Sequence, residues 1–189
     1  MKCNHLTTVK FHHTFALTLA VLLASAGILL VQAQTNDPET RLAEMGITLA
    51  EPAAPTANFV LAVQTGNLVF LSGHGPMQEN GEYMSGKVGD ELNLAQAADA
   101  ARLTGISLLT SLKAQIGSLN RVKRIVKVLG MVNAVPDFTQ QPQVMNGFSD
   151  FMVEVFGEKG KHARSAVGMG SLPFNIPVEI EMIVELYEE

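Results

Sequence analysis

Arg164, Ala166, Gly168 and Gly170 alternate along one strand-like run, so a single guanidinium stands over a floor of very small side chains. Such a floor leaves room for a ligand, and the planar fork of arginine matches a carboxylate bidentately. The run that follows sets Val178, Ile180, Met182, Val184 and Leu186 on one face and Glu179, Glu181 and Glu185 on the other. An ordinary surface arginine beside an acidic strand has the same pattern, so these residues alone leave both readings open.

Other chemistries are poorly served. His74 and His162 lie far apart with no His-x-x-x-His or cysteine pair, which argues for loop or surface histidines rather than metal ligands. Ser72-Gly73-His74 lacks the nucleophile-elbow pattern. Gly168-Met169-Gly170 falls within a strand instead of before a helix, the wrong context for a phosphate cradle. Arg121, Lys123, Arg124 and Lys127 form a basic cluster without interleaved aromatics, the usual look of a solvated face.

These residues sit in a chain of 189, 47% hydrophobic and 16% charged, with 13 basic and 18 acidic side chains and a net charge of −5. That suits one domain with a buried core and excludes collagen, a disulfide scaffold and a disordered polyelectrolyte. The negative charge disfavours a protein built to grip phosphates, so no nucleic acid partner is expected.

The first 33 residues read as a secretory signal peptide. Lys2 and Lys10 lie in a stretch without acids, Thr14 to Val31 runs apolar without charge, and Val31-Gln32-Ala33 places small residues for cleavage before Gln34. The competing reading is an uncleaved membrane anchor. Cleavage would remove Cys3 and leave His74 and His162 as the remaining histidines. The expected location is periplasmic or secreted, with membrane contact only through the leader if cleavage fails.

Residues 34–56 read as a short helix and a Pro/Ala linker: Asp37-Pro38 starts the helix, Gly46 stops it, and AEPAAPT follows. Residues 57–189 carry the domain. Asn58 to Gln64 and Leu68 to Ser72 flank a Gly66-Asn67 turn, and a further short strand is expected near Tyr83 to Val88. Asn93 and Gln96 have capping-box spacing before a long helix ended by Gly117, with Leu103, Ile106, Leu109, Leu112 and Ile116 as its apolar stripe. Val122 to Val135 is a strand and Pro142 to Phe156 a second helix. Ala163 to Leu172 and Val178 to Tyr187 read as a hairpin across the Pro173–Pro177 loop. The order β-β-α-β-α-β-β makes an α+β domain, a mostly antiparallel sheet with two helices on one face.

Several segments together resemble the Rid/YjgF family, also labelled L-PSP endoribonuclease-like. They are the run Gly66 to Gly73, the strand Val122 to Val128, Asn146, Ala163-Arg164-Ser165-Ala166-Val167, Leu172-Pro173 and Val178-Glu179-Ile180-Glu181. The similarity covers about residues 56–187 and is nearer to the branch with a longer first helix.

The resemblance implies a chorismate-mutase-like fold, a homotrimer, and clefts between subunits where 2-imino and enamine acids are hydrolysed to 2-keto acids and ammonia. It implies catalytic roles for Arg164, on the substrate carboxylate, and Glu179, on the water. Ser72, Gly73 and Asn146 match pocket residues, and backbone amides near Ser72-Gly73 or Ser165-Ala166 would complete the cradle. Phe59 stands where those deaminases have an aromatic hydroxyl, and His74 alters the pocket wall. No metal and no organic cofactor is called for. In the expected hairpin Arg164 pairs near Val184 and Glu179 near Met169, about 17 Å apart, so the two would meet a small substrate only when neighbouring chains supply them. The rival readings are a non-catalytic trimer that holds a small carboxylate and, less favoured by the acidic charge, a ribonuclease.

Overall fold

Asn93 caps the longest helix as its spacing predicts: its side chain accepts from the Gln96 amide while Gln96 reaches back to the Asn93 amide. The computed structural model describes residues 37–55 and 57–188; the leader expected at 1–33 lies outside them. Helix α1 spans Pro38–Glu44, strand β1 Ala62–Thr65 and strand β2 Leu68–His74. Helix α2 spans Leu94–Ile116, strand β3 Val122–Asn133 and helix α3 Gln141–Phe156. Strands β4, Ala163–Met169, and β5, Val178–Leu186, complete an α+β domain in the predicted order. The segment near Tyr83 to Val88 forms isolated bridges rather than a strand.

The sheet order is β1-β2-β5-β3-β4. Every pairing is antiparallel except β3 with β4, which run parallel. The expected β4–β5 hairpin is therefore corrected: β3 lies between these strands. Helix α3 carries the chain back from the end of β3 to its start, so β4 must run parallel to β3, as in any strand–helix–strand crossover. The segment from Gly170 to Pro177 then passes the end of β3, where the Asn133 amide donates to Pro177 and the Ala134 amide to Met169. A tight hairpin needs a much shorter loop.

One face of the sheet is dry. Val69, Leu71, Val128, Val132, Val178, Ile180, Met182 and Val184 pack there under α2 and α3, with Phe148, Phe151 and Met152. The apolar stripe of α2 differs from the expected one. Leu109, Leu112 and Ile116 are buried, but Ala97, Ala101 and Leu108 continue the stripe, while Leu103 and Ile106 are half-buried. Small residues win because the helices pack closely: a Cβ on Gly147 would run into the Ala98 carbonyl, and one on Gly105 would meet Phe151 at 2.8 Å. Helix α1 joins this core through Leu42, with Glu39 bonded to Lys113 and Ser118.

The opposite face is covered by no helix among the described residues. It carries Glu179, Glu181, Ile183 and Glu185 on β5, flanked by exposed Val63, Phe70 and Val167.

Candidate functional site

Arg164 enters the site from β4, opposite Val128 of β3 and therefore on the helix-covered face. Its guanidinium turns onto α3, where Nη1 donates to Asn146 Oδ1 at 3.1 Å and Ser149 Oγ at 2.9 Å, and Nη2 donates to the Pro142 carbonyl at 3.3 Å. Helical geometry lines these partners up, since positions 142, 146 and 149 follow one another at four and three residues. All three acceptors are neutral. Among the described residues no carboxylate pairs with Arg164.

Ala166 and Gly168 share the face of Arg164 as expected, but the floor at these two residues is occupied by protein, while Gly170 lies past the end of β4 with open space where its Cβ would be. Gly130 of β3, beside Ala166, makes room for Met145 of α3, and a Cβ on Gly168 would meet Gln141 Nε2 at 2.9 Å. The small side chains let α3 lie close to the sheet, and the space for a ligand is outside, at the half-exposed guanidinium.

Glu179 lies on the open face. Its carboxylate rests over Gly73, at the irregularity in β2 between Leu71 and His74, and a Cβ at Gly73 would overlap Oε1. Glycine at 73 is thus what allows the acid to lie flat on the neighbouring strand. Partial burial pushes the Glu179 carboxyl above the ordinary carboxylate value, and the nearby Glu181 charge pushes it further. A carboxyl raised in this way is suited to proton transfer.

The remaining expected site residues divide between the two faces. Ser72 Oγ donates to the Val60 carbonyl at 2.7 Å and so ties down the segment carrying Phe59, whose ring is half exposed. His74 points away from Glu179 into the helix layer, with Nε2 at 2.7 Å from Ser111 Oγ and Nδ1 at 2.7 Å from the Ser72 carbonyl. Burial lowers its pKa. Ser165 Oγ accepts from Lys127 Nζ at 2.8 Å, and Asn146 alone of the expected pocket residues touches Arg164.

Two further residues adjoin Arg164. Ser149 contacts the guanidinium, and His162 contacts Ser149, its Nε2 lying 3.1 Å from the hydroxyl. The spacing of Asn146 and Ser149 on one helix face was a usable signal, but nothing in the sequence says which strand that face meets. The basic cluster is spoken for: Lys123 and Arg124 both pair with Glu185, which holds the Glu185 carboxyl below its ordinary value. Among the described residues no group of three His, Cys, Asp or Glu side chains could hold a metal ion.

The family described as "YjgF/chorismate_mutase-like, putative endoribonuclease" matches residues 39–186. The chain belongs to this family. Protein TCP17 of Trypanosoma cruzi is 42% identical over 146 residues, covering 77% of this chain and 91% of that protein. A 2-iminobutanoate/2-iminopropanoate deaminase of Dermatophagoides farinae is 33% identical over 132 residues, covering 69% of this chain and 87% of the relative. Among solved structures, protein Atu1372 of Agrobacterium tumefaciens, of unknown function, superposes with a TM-score of 0.74 at 42% identity, over 84% of this chain and 99% of that one. The YjgF-like fold accounts for the mostly antiparallel sheet and the two long helices on one side.

Proposed function

We propose that this YjgF-family protein is exported and hydrolyses small 2-imino and enamine acids to 2-keto acids and ammonia, at clefts between the subunits of a homotrimer. The observation that carries the reading is the guanidinium of Arg164, held by three neutral acceptors and so keeping its full charge for a ligand carboxylate. The raised carboxyl of Glu179 supports it as the proton acceptor, and the Dermatophagoides farinae relative is named for this activity.

The chemistry balances with water alone. Arg164 of one subunit binds the substrate carboxylate and presents one side of the C=N bond. Glu179 of a neighbour takes a proton from water as its oxygen adds to C2. Addition to the protonated imine gives a carbinolamine, and Glu179 returns the proton to its nitrogen. The C–N bond then breaks as the new hydroxyl gives its own proton to Glu179 and becomes the C=O, releasing ammonia and leaving the 2-keto acid.

A non-catalytic carboxylate-binding reading draws on Phe59, which has no hydroxyl to donate, and on His74, which turns away from Glu179. The ribonuclease reading draws on the family description, and the pairing of Lys123 and Arg124 with Glu185 weighs against it. Purified protein given 2-iminobutanoate or 2-iminopropanoate, generated in situ, decides among them. Turnover that disappears in Arg164→Ala supports the hydrolase. Binding of 2-keto acids with no turnover supports the binding protein, and RNA cleavage lost in Arg164→Ala supports the nuclease.

A further inference from the structure

Ser149 is shared between two groups. Its Oγ lies 2.9 Å from Arg164 Nη1 and 3.1 Å from His162 Nε2, and on the far side of the imidazole Nδ1 lies 2.6 Å from the Gly160 carbonyl oxygen. A carbonyl oxygen can only accept, so Nδ1 carries the proton and Nε2 of the neutral ring is a bare acceptor. The hydrogen between Ser149 and His162 is then the hydroxyl's own. Every bond in the chain runs one way: guanidinium to Oγ, hydroxyl to Nε2, Nδ1–H to the carbonyl. Chains ordered in this sense reinforce one another.

We infer that His162 is a positioning residue for Arg164: by taking the hydroxyl hydrogen of Ser149 it turns a lone pair of that oxygen onto the guanidinium and fixes its orientation for a ligand carboxylate. The inference rests on the reading of Arg164 as the carboxylate anchor. The surroundings keep the ring neutral. Burial lowers the His162 pKa, the hydrogen bond to Gly160 opposes this, and the Arg164 charge lowers it again. The Phe148 ring stands edge-on to the imidazole at 5.7 Å. Arg124, Lys161 and Glu185 are the other charged groups that line a shallow surface cavity with His162. A protonated His162 would donate from Nε2 and compete with Arg164 for the same oxygen, with two cations facing one hydroxyl.

A plain structural staple between α3 and the start of β4 would show the same distances, so the test must separate positioning from stability. In Ser149→Ala and His162→Leu, KM for 2-iminobutanoate should rise about tenfold with kcat within about twofold, the loss expected for one hydrogen bond to a charged group. His162→Gln keeps an acceptor near the Nε2 position and should restore most of the KM. Unchanged KM in both disruptive variants, or no recovery with Gln, overturns the inference.

NMR titration of the His162 ring gives a readout that needs no turnover. Ser149→Ala removes the bond that favours the neutral ring, and Arg164→Met removes the repelling charge, so each should raise the His162 pKa. Unchanged titration in both variants overturns the inference. If the wild type turns over no imino acid and binds no 2-keto acid, the proposed activity fails, and the titration still upholds or overturns the bonded chain.

Discussion

Arg164 and Glu179 stand on opposite faces of one sheet. Arg164 is opposite Val128 and Glu179 opposite Met131, with β3 between their strands, so their backbones lie about 14 Å apart. One side chain turns into the helix layer and the other lies on the open face over Gly73. No small molecule touches both within a single chain, and a site that uses both takes one from each of two copies.

Subunit complementation tests that requirement. Arg164→Ala and Glu179→Gln should each abolish turnover. Refolded together in equal amounts, they should regain on the order of a quarter of wild-type activity, because random pairing unites an intact arginine with an intact glutamate at that frequency. Mixtures as inactive as their components would show that the two residues do not work across a subunit boundary.

The pH–rate profile follows from the raised Glu179 carboxyl. As a base, Glu179 works only when ionised, so activity should climb with pH through a limb lying above the ordinary carboxylate value. Glu181→Gln removes the like charge beside it and should move that limb to lower pH. A limb that stays put in this variant would disconnect Glu179 from the rate.

Two glycine substitutions should behave differently. In Gly73→Ala the new methyl displaces the Glu179 carboxylate, the mobile end of a side chain, so activity should fall while the melting temperature changes little. In Gly147→Ala the methyl meets the Ala98 backbone carbonyl where α2 and α3 cross, and destabilisation of about 1–3 kcal/mol is expected. Thermal melts and turnover on both variants check the contrast.

Export predicts a mature chain beginning at Gln34. Mass spectrometry of protein recovered from its native host should find that terminus, whereas a full-length amino terminus in the membrane fraction would indicate the uncleaved anchor.

The element order, both long helices and the capping box of α2 were legible in the sequence, because apolar periodicity, capping residues and turn glycines act within a few positions of each other. The alternation of β5 likewise places Glu179 away from the core. The β1–β2 hairpin about Gly66-Asn67 was legible too, but the pairing of the remaining strands was not. Nothing local to Ala163–Met169 distinguishes a partner on β5 from one on β3; the return path of α3 and the passage of residues 170–177 past the end of β3 decide it. The same long-range choice converts the small floor beside Arg164 from an empty pocket into packing for α3, and brings Ser149 onto the guanidinium with His162 bonded behind it. Side-chain types and local periodicity thus determined which groups are available for chemistry. Contacts between segments distant in the chain, which no short window of sequence contains, decided which of those groups meet and which face opposite ways.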